Sequence, residues 1–241
     1  MLNFYISATQ QLLQNPQAGN ALYATSNITG WINLAHSQLA GENQCIRYYG
    51  TLDLPTASRV ANFTSINTGA SATNGIQGVF NLKQVSLQIG SGAAFIRARS
   101  FPWFTQYHLM QIVQILGPPK VYAQYSQGVN GSIYVDPIPD QEYTLNVDCV
   151  CYPIPLVDDT TVEAIPYPWT DCVPFFAAWY AYMGAQRQAD ADLMYKRYQI
   201  YADRARSMSN PDVLTHLYPQ AQDVTLQNKL GIDPRKQGGG G

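Results

Sequence analysis

The stretch VPFFAAWYAYMGAQRQADADLMYKRYQIYADRA, from Val173 to Ala205, decides the fold because it is the longest helical pattern in the chain. Small and aromatic residues recur along it at alternating spacings of three and four, which is typical of one face of an α-helix. The residues of this face are Val173, Ala177, Tyr180, Gly184, Ala191, Tyr195, Tyr198, Ala202 and Ala205. Thr170 or Asp171 can cap its start. The segment from Gly184 to Asp190 fits either a straight run or a tight turn between two helices.

Two shorter helices are predicted at the start of the chain. In the first, Phe4, Ala8 and Leu12 recur at helical spacing until Asn15-Pro16 ends it. The second starts at Ser26 or Asn27 and runs to about Arg47. Its apolar stripe is Ile28, Trp31, Ala35, Leu39 and Ile46. Helices this short need a third partner to bury their stripes. We therefore expect a discontinuous helical bundle made of residues 1–47 and 170–208.

The central part of the chain, residues 48–169, has the pattern of strands and turns. Val79 to Ile89 alternates apolar and polar residues, and Tyr143 to Val150 does the same. Strand patterns at 121–125 and 132–135 flank Gly128–Gly131, which predicts a hairpin. A short helix is expected within 101–115, and an extended, proline-punctuated connection over 153–168. The class is therefore α+β, with an antiparallel β-sandwich or barrel inserted into the helical bundle.

The last part of the chain, residues 209–241, cannot make a core of its own. It contains three prolines and four terminal glycines, and its apolar residues come in small separated clusters. Such a segment can order on a partner surface, so we expect an extended docking arm. The alternatives are a frayed tail or a tail that wraps its own subunit. The candidate anchors are Leu214, Leu217, Tyr218, Leu226, Leu230 and Ile232.

The composition excludes several classes of protein. Only 12% of the 241 residues are charged and the net charge is −2, about half the usual charged fraction of roughly 25%. The chain lacks the basic excess of a dedicated DNA reader and any apolar run long enough for a membrane helix, and we expect no signal peptide. The 17 tyrosines and the many amides indicate a surface that partners cover.

A search for reaction chemistry finds little. The four cysteines have no metal-binding spacing, so we expect buried, reduced thiols. His36, His108 and His216 are scattered and have no acidic partner at a catalytic spacing. Gly90-Ser91-Gly92 resembles the start of a dinucleotide fingerprint but predicts a hairpin turn instead. Asp158 and Asp159 are best explained by turn and capping chemistry. We expect no enzyme, no cofactor and no metal.

Four stretches appear in a characteristic order and spacing. They are ITGWINLAHSQLAGENQCIR (28–47), LGPP (116–119) with the strand 121–125, IYVDPIPD (133–140) with YTL (143–145), and the acidic–proline turn with the helix it leads into, Leu156 to Tyr180. Over about residues 1–208 the chain resembles the head–tail adaptor (connector, or head-completion) proteins of short-tailed bacteriophages. The loops at 64–75 and 89–94 are expanded, and residues 209–241 match no signature of that family.

The resemblance implies a structural virion protein. Such adaptors form a ring, commonly of twelve copies, beneath the portal protein, extend the DNA channel and offer an attachment surface to tail or nozzle proteins. It implies that DNA passes without sequence-specific binding, that no membrane is involved, and that the protein lies in the virion neck and, before assembly, in the host cytoplasm. Helical packing within the ring is assigned to Trp31, Tyr180, Tyr195 and Tyr198.

Two other hypotheses about the function remain open. One is another tail or baseplate structural protein, and the other is a β-sandwich module that binds carbohydrate or protein. Exposed aromatic platforms at Trp103, Trp169, Tyr122 and Tyr125 would favour the binding module, and their burial would oppose it. The cations of the long helix are expected on its solvent-facing or portal-facing side, and they are Arg187, Lys196, Arg197, Arg204 and Arg206.

Overall fold

The computed structural model describes residues 1–14, 22–64, 66, 74–90, 92–109, 115–128 and 130–209. Its helices are α1 (Leu2–Leu12), α2 (Thr25–Asn43), the short α3 (Phe101–Phe104), α4 (Val173–Gly184) and α5 (Gln188–Met208). Its strands are β1 (Arg47–Leu54), β2 (Val60–Asn62), β3 (Ile76–Ile89), β4 (Gly92–Phe95), β5 (Arg97–Ala98), β6 (Val121–Tyr125), β7 (Ser132–Asp136) and β8 (Tyr143–Pro153). The α+β class predicted from the sequence is confirmed.

The strands form two four-stranded sheets, and the predicted closed barrel is not found in the described part of the chain. The first sheet has the order β1-β8-β3-β4 and the second the order β2-β7-β6-β5. All pairs of the first sheet are antiparallel. The second sheet departs from the prediction of a purely antiparallel insertion because β5 pairs with β6 in parallel. This follows from the chain entering β5 straight from β4 and crossing between the sheets at the buried Ile96.

Both predicted hairpins are confirmed. β6 and β7 pair from Val121 with Asp136 to Tyr125 with Ser132. β3 and β4 pair from Ile89 with Gly92 to Ser86 with Phe95. The pairing of Ile89 with Gly92 therefore puts the glycine-containing stretch between two antiparallel strands, as the predicted hairpin turn requires.

The two N-terminal helices bury one face each, with small differences from the prediction. α2 starts at Thr25 after the extended Ala24, not at Ser26 or Asn27, and it ends at Asn43, where Gln44 adopts a left-handed φ of 51°. Ile32 is fully buried in its stripe, whereas Trp31 is only half-buried. Arg47, expected at the end of this helix, is the first residue of β1.

The open question at 184–190 is settled by a tight turn between α4 and α5. Gln186 has a φ of 57°, and the backbone N–H of Arg187 donates to the carbonyl of Tyr182 at 3.0 Å. The two helices therefore form an antiparallel hairpin. A short 3₁₀ turn, Trp169–Cys172, leads into α4.

One buried cluster runs from the helices into both sheets. It includes Ile32 and Leu39 of α2, Val147 of β8 and Ile133 of β7, all fully buried. The proposed division at 47/48 and 169/170 therefore separates parts that share a core, and it remains a prediction about roles.

Candidate partner-binding surfaces

The contact between α4 and α5 is lined by aromatic rings. Phe175 stacks on Tyr201 with ring centroids 4.8 Å apart. Phe176 meets the edge of Tyr198 at 5.1 Å, and Trp179 meets Tyr195 at 5.2 Å. We call these six residues the aromatic seam. Ring pairs at these separations add to the burial of their apolar area.

Tyr198 anchors the seam to α2. Its side chain is only 3% exposed, and its hydroxyl donates to Oε2 of Glu42 at 2.9 Å. Burial, and then this hydrogen bond, raise the pKa of Tyr198, so the phenol remains a neutral donor. One side chain thereby fixes α5 against α2 as well as α4.

The four aromatic residues assigned to packing within the ring of subunits lie in different environments. Tyr198 lies in the buried core, and the half-buried Trp31 packs against that core. Tyr180 and Tyr195 are 42% and 36% exposed, although their rings contact Trp179. They lie at the surface of the helical hairpin, where they are available to another chain. Whether they pack in a ring remains a prediction.

The side of α5 that faces away from the seam combines cations with aliphatic side chains. Leu193, Lys196, Arg197, Ile200 and Arg204 follow one another at helical spacing and are exposed; we call them the α5 outer face. Leu193 is 48% and Ile200 66% exposed. The cations of this helix are all exposed, as the sequence predicted, whereas the two aliphatic residues among them were not predicted. The helical spacing of residues 193, 197, 200 and 204 is the sequence pattern that could have predicted this face.

The cations of α5 differ in their pairing. Arg187 pairs with Asp190 and Arg206 with Asp203, each at 2.7 Å. For Lys196, Arg197 and Arg204 the described residues supply no ion pair. Within the described part of the chain, the α5 outer face therefore carries three cations without an ion pair.

The predicted arm anchors, Leu214, Leu217, Tyr218, Leu226, Leu230 and Ile232, lie outside the described residues. The described part of the chain ends at Ser209, whose backbone N–H donates to the carbonyl of Ala205 at 2.8 Å. The docking role of residues 209–241 therefore remains a prediction.

A buried polar junction joins α1, α2 and the connection 154–168. Nε2 of His36 lies 3.7 Å from Oε2 of Glu163, and the ring of Tyr5 stands edge-on to the imidazole at 5.3 Å. Burial lowers the pKa of His36 to about 4, and burial raises the pKa of Glu163. His36 is 1% exposed, so no substrate reaches it and the junction supports the fold.

Three further sets of hydrogen bonds lie at or beside this junction. The side chain of Asn33 accepts from the backbone N–H of Leu156 at 2.7 Å and donates to its carbonyl at 3.0 Å. Asp159 accepts from the backbone N–H of Asn3 at 2.8 Å, which caps α1 from a distant part of the chain. Asp158 accepts from the backbone N–H groups of Thr160 and Thr161 at 2.9 and 3.0 Å. The prediction of capping and turn chemistry for this acidic pair is confirmed.

Two of the four aromatic residues that would favour a carbohydrate platform are buried. Tyr122 and Trp169 are each only 4% exposed. Trp103 is half-buried, with the guanidinium of Arg99 4.9 Å from its ring centroid, and Tyr125 is 49% exposed although it packs on Phe101 with centroids 4.5 Å apart. The burial of Tyr122 and Trp169 counts against a carbohydrate-binding module, whereas the exposure of Tyr125 does not.

The described residues hold no group of three or more His, Cys, Asp or Glu arranged to bind a metal. The four cysteines are free thiols, and three of them are buried. Burial raises the pKa of Cys45 and of Cys172 to about 12, which keeps both thiols protonated and unreactive. Among the helices with assigned positions, none has both the length and the apolar character needed to cross a bilayer.

The fold thus carries broad helical surfaces with exposed aromatic, aliphatic and cationic side chains, and these define a structural, partner-binding class of protein. A family model described as SU10 adaptor protein matches residues 5–222. The chain belongs to this family and is a phage head–tail adaptor protein. A search among curated proteins finds no significant match.

Proposed function

We propose that the chain forms a ring, of about twelve copies by analogy with related adaptors, beneath the phage portal and extends the channel through which DNA leaves the capsid. The observation that carries this proposal is membership of the adaptor family over residues 5–222. The surface of the α4–α5 hairpin supports it. Ring subunits bury two different sides against their neighbours, and Tyr180, Tyr195, Leu193 and Ile200 are all substantially exposed in the single chain.

The parts of the chain have different roles in this proposal. Residues 1–47 and 170–208 build the ring, and residues 48–169 face outward or toward tail or nozzle proteins. Residues 209–241 form an arm that docks on the portal through the anchors from Leu214 to Ile232. The protein acts in the virion neck, after a period in the host cytoplasm, and its role is structural, without a cofactor.

DNA passes through this ring without sequence-specific binding. A near-neutral chain, with a net charge of −2, lacks the cation excess that would hold phosphates by counterion release. A wall of this kind lets the genome slide, which suits a channel better than a tight grip.

The mass of the purified chain, measured alone and after mixing with portal rings, tests the proposal. We expect a ring of subunits on the portal. A chain that stays monomeric under both conditions would contradict the adaptor ring.

The arm is tested by deleting residues 220–241, with deletion of the glycines 238–241 as the matched control. We expect the long deletion to abolish portal docking and leave the unfolding transition unchanged, because the composition of this segment gives it no core of its own. The short deletion should change neither. Docking that survives the long deletion means that Leu226, Leu230 and Ile232 are not required for it.

A further inference from the structure

Two surfaces of the helical bundle carry opposite charge, and each also exposes apolar groups. One surface is the α5 outer face, with three cations that lack an ion pair among the residues placed by the structure. Lys196 and Arg197 lie between the exposed Leu193 and Ile200, and Arg204 follows one turn after Ile200. This mixture of cations and apolar groups suits a protein that offers both anions and apolar groups.

The second surface lies around α1. Within α1 itself there is no charged residue, and Phe4 is 59% exposed. Asp159 attaches the neighbouring loop to the first turn of α1 through the N–H of Asn3. Val157 of this loop is 78% exposed. We call Phe4, Val157, Asp158 and Asp159 the α1 outer face.

The carboxylate of Asp158 is held in place as an anion. Its Oδ1 accepts hydrogen bonds from the side chains and the backbone N–H groups of Thr160 and Thr161. These bonds lower its pKa. Asp159 differs because it also pairs with the N-terminal ammonium of Met1 at 2.9 Å. Asp158 is therefore the main uncompensated anion of the α1 outer face.

α1 and α5 both pack on α4. Phe175 and Trp179 of α4 contact α5 through the aromatic seam. The hydroxyl of Tyr182, also on α4, donates to the carbonyl of Leu12 at the end of α1 at 3.0 Å. The two outer faces therefore belong to different helices that α4 joins, so one subunit offers two distinct surfaces to its neighbours.

We propose that the α5 outer face of one subunit binds the α1 outer face of the next copy, as the head-to-tail contact of the ring. This inference rests on the proposed ring and names the surfaces that close it. A contact between two different faces leaves both free at the ends of a chain, so it propagates until the rotation closes. Opposite charges set the register, and the aliphatic residues together with Phe4 supply apolar area.

Reversing charge on the α5 outer face tests the contact. We expect the double variant Arg197→Glu with Arg204→Glu to weaken ring assembly by roughly a hundredfold or more, because like charges then face each other across the interface. The matched control is Arg187→Glu with Arg206→Glu, which changes the net charge equally at cations that already have an aspartate neighbour. The control should assemble, and both proteins should keep the thermal midpoint of the unmodified chain within a few degrees.

A mixing experiment tests the direction of the contact. Val157→Lys places a cation on the α1 outer face and should also block rings. In a mixture of this variant with the Arg197→Glu, Arg204→Glu variant, the intact α5 outer face of one meets the intact α1 outer face of the other, so we expect dimers or larger assemblies that neither variant forms alone.

The results separate this inference from the proposed function. If the unmodified chain never forms rings, alone or on the portal, the proposed function fails. If it forms rings and the Arg197, Arg204 variant does too, only the contact fails. Loss of portal binding by that variant with rings intact would assign the α5 outer face to the portal and overturn the contact, as would a mixture that gives neither dimers nor larger assemblies.

Discussion

The aromatic seam and the polar junction hold the same helical bundle together by different physics. In the seam, six rings of α4 and α5 pack at centroid distances near 5 Å. At the junction, His36, Glu163 and Asn33 connect α1 and α2 to a loop more than a hundred residues away. The seam depends mainly on apolar area, and burial raises the pKa of its one buried phenol, Tyr198, so that phenol stays neutral near pH 7. The junction depends on groups whose charge and hydrogen bonds are set by burial. One side of the bundle is therefore held by packing, and the stability of the other side depends on pH.

The largest effect is expected in the seam. Tyr198→Ala removes a ring that is only 3% exposed and should lower the free energy of unfolding by about 3–5 kcal/mol. Tyr198→Phe keeps the ring and loses the hydrogen bond to Glu42, so it should cost only about 1 kcal/mol. Urea titrations of both variants measure the ratio. Equal losses would mean that the hydrogen bond, and not packing, dominates the seam.

The junction should show its character in acid. The pKa of His36 falls from its ordinary value of 6.5 to about 4 in the folded chain. Between these two values the unfolded chain takes up a proton that the folded chain refuses, so stability falls as the pH drops from 6.5 to 4, by about 3 kcal/mol in all. Above pH 6.5 this contribution is complete. Burial raises the pKa of Glu163, and its contribution has the opposite sign, falling as the pH rises above its ordinary 4.5.

Two variants separate these opposing slopes. In His36→Leu only the Glu163 contribution remains, so stability should rise as the pH is lowered toward 4.5. In Glu163→Gln the loss through His36 should be steeper than in the unmodified chain. Asp158 and Asp159, whose pKa values are lowered, titrate below this window. Unfolding curves at several pH values check the signs, and identical slopes in all three proteins would remove His36 from the junction.

The contrast between the two regions also explains what the sequence could predict. Helical spacing predicted only part of the seam, because Tyr198 of the predicted stripe is a buried seam residue. It left out Phe175, Phe176, Trp179 and Tyr201, and Tyr195 on that stripe is 36% exposed. It placed Tyr180 on the buried stripe, yet this ring is 42% exposed, because the turn at Gln186 divides the pattern into two helices. The junction left no local signal. No residue pattern near His36 predicts its contact with Glu163, and Asn33 looks like an ordinary polar residue of an amphipathic helix.

The candidate surfaces were predictable to a similar degree. The cations of α5 stand out in a chain with few charges, and their exposure followed. Arg187 and Arg206 each pair with an aspartate three residues away, whereas Lys196, Arg197 and Arg204 have no ion pair among the described residues. This difference is visible only in the side-chain positions. The charge of the α1 outer face depends on Asp159 reaching α1 from a distant part of the chain, with Asp158 next to it, and no periodicity encodes this contact.

A smaller effect is expected from the amide that bridges α2 to the connection. Asn33→Ala leaves the backbone N–H and carbonyl of Leu156 without their partner, and Leu156 is 2% exposed. Loss of the two bonds should cost about 2 kcal/mol. The control is Ser37→Ala one turn later, whose hydroxyl donates to the carbonyl of Asn33 within the same helix, and we expect it to stay within about 0.5 kcal/mol. Thermal unfolding of both proteins compares them, and a silent Asn33→Ala would show that the connection does not depend on this bridge.

The smallest effect is expected at the paired cations of α5, which belong to neither region. Arg187→Ala breaks an ion pair whose side chains are 51% and 42% exposed, and it also removes a guanidinium 4.8 Å from the ring centroid of Tyr182. Exposed pairs contribute about 0–1 kcal/mol and are screened by salt. The loss should therefore be under 1 kcal/mol at low ionic strength and vanish near 1 M salt, whereas the loss from Tyr198→Ala should persist. A salt-independent loss at Arg187 would indicate that packing on Tyr182 dominates there, and would extend the apolar character of the seam to the turn that joins its two helices.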